Sequence, residues 1–121
     1  MTYRDELGDV RSFVREQAAR AGLTGSRARD LVLAASEVAA NTLCHTDGEG
    51  MVRVWAQQGE VICEFRDAGV ISDPLVGLAR PADAADGGLG LWVVRQVCDA
   101  VEIEAGKSGT TIRLRMRLAA P

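Results

Sequence analysis

The order in which hydrophobic periodicity changes along this chain limits its possible folds more than any other feature. Residues 5–21 place Leu7, Val10, Phe13, Val14, Gln17 and Ala18 close to helical spacing, while Arg11, Arg15, Glu16 and Arg20 fall mainly elsewhere on the wheel. Gly22 fits the stop of that helix, and Ser26 fits the N-cap of a second one over 27–44. Asp47-Gly48-Glu49-Gly50 then breaks the pattern. Residues 51–57 and 61–66 alternate apolar and polar side chains around Gln58-Gly59-Glu60, which predicts a β-hairpin. An irregular stretch, 70–86, contains Pro74 and Pro81 and has the length of a lid. Helical spacing resumes over 90–97, and residues 101–105 and 110–118 predict two strands around Gly106-Lys107-Ser108-Gly109. The order ααββ–loop–αββ predicts an α+β fold of two layers, a largely antiparallel sheet covered on one face by about three helices.

A chain of 121 residues suits one domain, 1–121, with a single core. With 47% hydrophobic and 26% charged residues it reads as neither disordered nor membrane-like. No apolar run is long enough to span a bilayer, and Met1-Thr-Tyr-Arg-Asp-Glu is not a signal peptide. The net charge of −3 argues against a general nucleic-acid surface. Cys44, Cys63 and Cys98 are odd in number and far apart, so neither a disulfide framework nor a zinc site is expected, and a reducing cytoplasm fits best. Cys63 and Cys98 lie in apolar stretches, where a free thiol behaves as a small buried hydrophobe.

Four short segments carry the chemistry. Glu37 and Asn41 stand four residues apart on the second helical run, so a carboxylate and an amide share one face. Such a pair is commonly just solvated, but here Leu31, Val32, Ala34, Ala35 and Val38 surround it and predict a largely buried helix. An Asn oxygen suits magnesium, which takes few protein ligands and fills its shell with water and phosphate. A neighbouring carboxylate suits proton removal from an attacking hydroxyl. Asp67-Ala68-Gly69 closes a strand; the bland reading is a turn, the functional one an acceptor for an exocyclic amino group such as adenine offers. Asp86-Gly87-Gly88-Leu89-Gly90-Leu91 opens a helix, and a flexible loop end explains one glycine better than three. Glycines there leave backbone N–H groups open to an anion. The spacing is not G-x-G-x-x-G and no Lys-Ser/Thr follows, so Rossmann and P-loop readings fail. Thr110 and Thr111 enter the last strand, where β-branched residues need no special explanation. His45, one further i+4 step from Asn41, reads as a capping or packing residue.

In combination these residues resemble the Bergerat (GHKL) ATP-binding fold, and within it the small anti-sigma-factor serine/threonine kinases of the RsbW type. Glu37, Asn41 and His45 match the family's Glu-x-x-x-Asn-x-x-x-His box; Asp67 and Gly69 match its first glycine box. Gly88 and Gly90 match the second, and Gly109-Thr110 match the entry to the last strand. The resemblance spans roughly residues 5–118. It implies a mixed sheet, ATP and magnesium as cofactors, Asn41 as the metal ligand and Glu37 as the general base. It further implies Asp67 and Gly69 at adenine, Gly88, Leu89, Gly90 and Leu91 along the phosphates, Thr110 in support, and a lid over about 70–87. The implied partners are a sigma factor, which the domain sequesters, and a STAS-type anti-anti-sigma protein, which it phosphorylates.

Two departures stand out. Position 71 is Ile where the first glycine box often has a further Gly. Only Met1–Arg4 precede the first helix, so the strand with which relatives begin is expected to be missing, or the chain to be an excised domain. Intact Glu37 and Asn41 favour the kinase; the departures leave a non-catalytic partner-binding module as the alternative. A histidine kinase would need a separate phosphoacceptor domain, for which this chain has no room. Monomer and homodimer both stay open.

Overall fold

In the computed structural model, a short strand does precede the first helix. β1 (Thr2–Tyr3) pairs antiparallel with β2 (Gly50–Gln57), and the Met1 ammonium donates to the Val52 carbonyl at 2.8 Å. The expectation of a missing strand is therefore corrected. Two residues are too few to display a period of two, and the pairing partner lies almost fifty residues away. The structure describes residues 1–4, 6–45, 49–67, 89–106 and 108–118, with the side chains of 42–45 and 89 set aside.

The remaining elements are α1 (Leu7–Arg20), α2 (Gly25–His45), β3 (Glu60–Asp67), α3 (Leu89–Val97), β4 (Ala100–Gly106) and β5 (Gly109–Arg117). α1 ends as its sequence predicts. Gly22 adopts φ +99°, and Leu23 N–H and Gly22 N–H donate to the Ala18 and Ala19 carbonyls at 2.9 and 3.1 Å, closing a Schellman motif. α2 begins earlier than expected: Gly25, at φ +65°, already starts the helix, so Ser26 lies within its first turn and is not the N-cap. Gln58 and Gly59, with φ of +50° and +78°, form the two-residue turn between β2 and β3, whose right-handed twist requires positive φ at both positions.

The five strands form one sheet in the order β1-β2-β3-β5-β4, with every neighbouring pair antiparallel. The mixed sheet implied by the resemblance is thus, among the described strands, wholly antiparallel. Alternation assigns the two faces. Val52, Val61, Cys63, Phe65, Ile112, Leu114 and Met116 are buried in one core with Val10, Val14, Leu31, Val38 and Val94 of the helices. α2 lies between α1 and α3; α1 covers β1 and β2, α2 covers β3 and β5, and α3 covers β4. Burial pushes the Cys98 thiol up to about 12, with the charges of Asp99 and Asp30 adding to it, and drives the Cys63 thiol higher still. Both cysteines are inert packing residues at neutral pH.

The opposite face is a lattice of ion pairs. Glu64, only 2% exposed, accepts from Arg53 at 2.6 Å and Arg113 at 2.7 Å and lies 3.1 Å from Arg66. Arg113 also reaches Glu104, Arg115 pairs with Glu102, and Arg53 lies 5.1 Å from the Trp55 ring centre. Burial raises the Glu64 carboxyl, but the hydrogen bonds from Arg53 and Arg113 and the charges of Arg53 and Arg66 outweigh it, so its pKa lies below the ordinary value.

Candidate functional site

Two pairs of candidate residues, each distant in sequence, meet in space. The first pair joins the ends of two strands. β3 and β5 are paired in register so that Asp67 stands directly opposite Thr110. Both share the parity of the inward residues, Phe65 on β3 and Ile112 on β5, so both face the helical layer. Thr110 is 3% exposed and Asp67 is half-buried. Adjacent acceptor and hydroxyl groups at this strand end are held by a ladder of eight register pairs, so their spacing is fixed by the sheet and not by a loop.

The second pair joins two helices. α3 packs against α2, and a Cβ added at Gly90 would lie 2.7 Å from Glu37 Oε2. The Glu37 carboxylate therefore rests on the bare backbone of the first turn of α3. Only a residue without a side chain admits it so closely. The dipole of α3 favours a negative group at that end, whether this carboxylate or a phosphate. Asn41 follows one turn along α2 and is, like Glu37, half-buried. Because α2 lies across β3 and β5, the helix that carries Glu37 and Asn41 covers the strands that carry Asp67 and Thr110.

Other sequence-derived candidates are placed differently. The Leu91 side chain is taken up by the core, at 3% exposure, leaving its backbone as the part a nucleotide would meet. Gly69, Ile71, Gly88 and the lid at 70–87 lie outside the described residues, as do the side chains of Cys44, His45 and Leu89. The contact between Glu37 and Gly90 was not legible in the sequence, since no local spacing relates residues in different helices.

The donor set fits a magnesium nucleotide. Among the described residues no three His, Cys, Asp or Glu side chains stand together as a metal cage. A single Asn oxygen beside phosphate and water is the kind of shell magnesium accepts. The Gly90 backbone, bare of any Cβ, is what lets the Glu37 carboxylate reach the start of α3. Asp67 supplies an acceptor backed by a buried threonine.

Comparison with known proteins gives the family and the fold. The family described as "Histidine kinase-like ATPase domain" matches residues 3–116. The chain belongs to that family. Histidine kinase-like ATPase domains use ATP, usually with magnesium, and the fold here is of the same Bergerat type. No curated protein sequence matches the chain. Among solved structures, a chain of the SiaB–SiaC complex from Pseudomonas aeruginosa superposes with a TM-score of 0.67 at 13% identity, over 96% of this chain and 88% of that one. The histidine kinase domain of the blue-light activated histidine kinase from Erythrobacter litoralis EL346 gives 0.63 at 19% identity, over 93% of this chain and 59% of that one. The catalytic domain of the histidine kinase ThkA gives 0.62 at 11% identity, over 98% and 95%. At these identities the likeness is one of fold. Among the described residues no helix is long and apolar enough to cross a membrane.

Proposed function

We propose that this domain is an ATP-dependent protein serine/threonine kinase that acts as an anti-sigma factor, binding a sigma factor and phosphorylating a STAS-type anti-anti-sigma partner. The observation that carries the reading is the Glu37 carboxylate seated against Gly90, with Asn41 one turn along the same helix. Glu37, held between α2 and α3, would accept the proton of a partner's hydroxyl as that oxygen bonds to the terminal phosphorus and ADP leaves. Asn41 would hold magnesium, which when bound offsets phosphate charge. Asp67, with Gly69 beside it in sequence, would accept from the adenine amino group, supported by Thr110. Gly88, Leu89, Gly90 and the Leu91 backbone would follow the phosphates. The similarly folded chain in the SiaB–SiaC complex is found together with a partner, which supports a partner-directed role.

The test is transfer from labelled ATP to a STAS protein recovered from the native cytoplasm with this domain. Acid-stable phosphate on serine or threonine of that partner is the expected result. Acid-labile phosphohistidine would contradict it. If the partner binds but receives no phosphate, the domain is the non-catalytic partner-binding module of the same switch. Ile71 in the first glycine box is what leaves room for that second reading.

A further inference from the structure

A groove of about 430 Å³ runs between α1 and the N-terminal half of α2, on the outer side of the helical layer. Gly25, Ala28, Val32 and Leu33 give it an apolar floor, and Arg15 and Arg29 form its rim. Leu33 is 45% exposed, and among the described residues only Met51 is a comparably exposed large hydrophobic side chain. The two rim arginines differ from those of the sheet. Arg53, Arg66, Arg113 and Arg115 each pair with a glutamate, whereas Arg15 and Arg29 enter no ion pair among the described residues. Arg11, one turn before Arg15, is similarly unpaired and donates only to Ser36 Oγ at 3.2 Å. No acidic side chain stands among the described lining residues. The groove is therefore cationic on a chain whose net charge is −3.

We infer that this groove docks an acidic amphipathic helix of a partner protein. A third helix fits between two packed helices by setting its apolar ridge into their groove. Its apolar residues at i, i+3 and i+4 would cover Val32 and Leu33, and flanking carboxylates would pair with Arg15 and Arg29. A second copy of this chain is a poorer occupant. A two-fold contact sets the same patch against itself, bringing four unpaired arginine charges together. A nucleic acid matches the arginines but leaves the leucine uncovered. Leu33 stands one turn before Glu37 on α2, so the docked helix would lie next to the proposed base. The docking surface is nevertheless separate from the nucleotide chemistry and stands whether or not the domain transfers phosphate.

The probe is a synthetic amphipathic helix of about 18 residues, long enough to hold helical structure, with leucines at helical spacing flanked by glutamates. Its comparators are the same peptide with lysine for every glutamate and a scrambled peptide of identical composition. In amide chemical-shift titrations of the isotope-labelled domain, the acidic peptide is expected to shift residues 11–15 and 25–36 and to bind more weakly as salt rises. Arg15→Glu with Arg29→Glu should weaken binding on the order of tenfold or more and give the lysine peptide the advantage instead. Leu33→Asp should weaken binding of the acidic peptide. The charge-swap arm guards against misfolding, because a disordered variant would gain affinity for nothing. The proposal is overturned by any of three results: no shifts in these segments at millimolar peptide, equal binding of the scrambled or lysine peptide to the unmodified domain, or a homodimer in sedimentation that Leu33→Asp dissolves.

Discussion

Replacing Gly90 with alanine should raise stability slightly while lowering phosphoryl transfer, because the new methyl group and the Glu37 carboxylate claim the same space. The added Cβ would lie 2.7 Å from Glu37 Oε2, against about 3.3 Å for an unstrained C···O contact, an overlap of roughly 0.6 Å. Glu37 Cδ and Cβ stand at 3.7 and 3.8 Å, already ordinary contact distances, so α2 itself need not move. The carboxylate is the flexible end of its side chain and absorbs the displacement. A shift of this size at a reacting group costs up to about 10²-fold in rate. Alanine meanwhile gains about 0.5 kcal/mol over glycine within a helix, or some 2 °C in melting temperature. The expected variant melts at or slightly above the parent, binds ATP within a few-fold, and transfers phosphate about ten- to a hundredfold more slowly. In a Glu37→Ala background the same substitution should leave the residual transfer unchanged. Equal slowing in both backgrounds would show that Gly90 acts on the phosphates alone, and unchanged transfer in Gly90→Ala would refute the positioning argument altogether.

Glu64→Ala should cost about 1–3 kcal/mol in urea unfolding, less than the roughly 3–5 kcal/mol for breaking a fully buried ion pair, because the side chains of Arg53 and Arg66 are 55% and 56% exposed and can turn to water. A loss below about 1 kcal/mol would show that the network contributes nothing net. The folded-state pKa of Glu64 lies below its unfolded value, so its stabilisation is present above the ordinary carboxylate range near 4.3 and disappears as pH falls through the folded value. Acid unfolding should accordingly be less steep in Glu64→Gln than in the parent; identical profiles would remove this assignment. Gly50→Ala should destabilise by about 1–3 kcal/mol, since its Cβ would come within 2.5 Å of the Tyr3 ring, which is 1% exposed and packs edge-on to Phe65 at 6.2 Å. Retained stability with β1 amides still protected from exchange would contradict that packing.

The helices, the central hairpin and the two final strands were legible because each shows its own period over enough residues to be read. β1 was not, since its two residues are fixed by pairing with Met51 and Gly50 and by the burial of Tyr3. The strand order was not legible either: β5 lies between β3 and β4, an arrangement set by packing and by no local pattern. Alternation did place Glu64 on the outer face, where a carboxylate belongs. That it is buried there depends on arginines 11 and 49 positions away. Asp67 and Thr110 were grouped through the family resemblance, and the β3–β5 register supplies the physical reason, opposite positions on the helix-facing side. Glu37 and Asn41 could be read together from helical spacing alone. The role of Gly90 in seating Glu37 required the fold.

The measurement that bears most directly on the central claim is calorimetric titration of the domain and of Asp67→Asn with ATP and with GTP, magnesium present. The account predicts that ATP binds in preference to GTP, because Asp67 accepts from an amino group where guanine presents a carbonyl. It predicts that Asp67→Asn, which exchanges part of the acceptor for a donor beside Thr110, loses about tenfold or more in ATP affinity while unfolding at the parent's urea midpoint. Equal affinity for ATP and GTP in the parent, or full ATP affinity in a folded Asp67→Asn, would contradict the placement of the nucleotide at the end of β3.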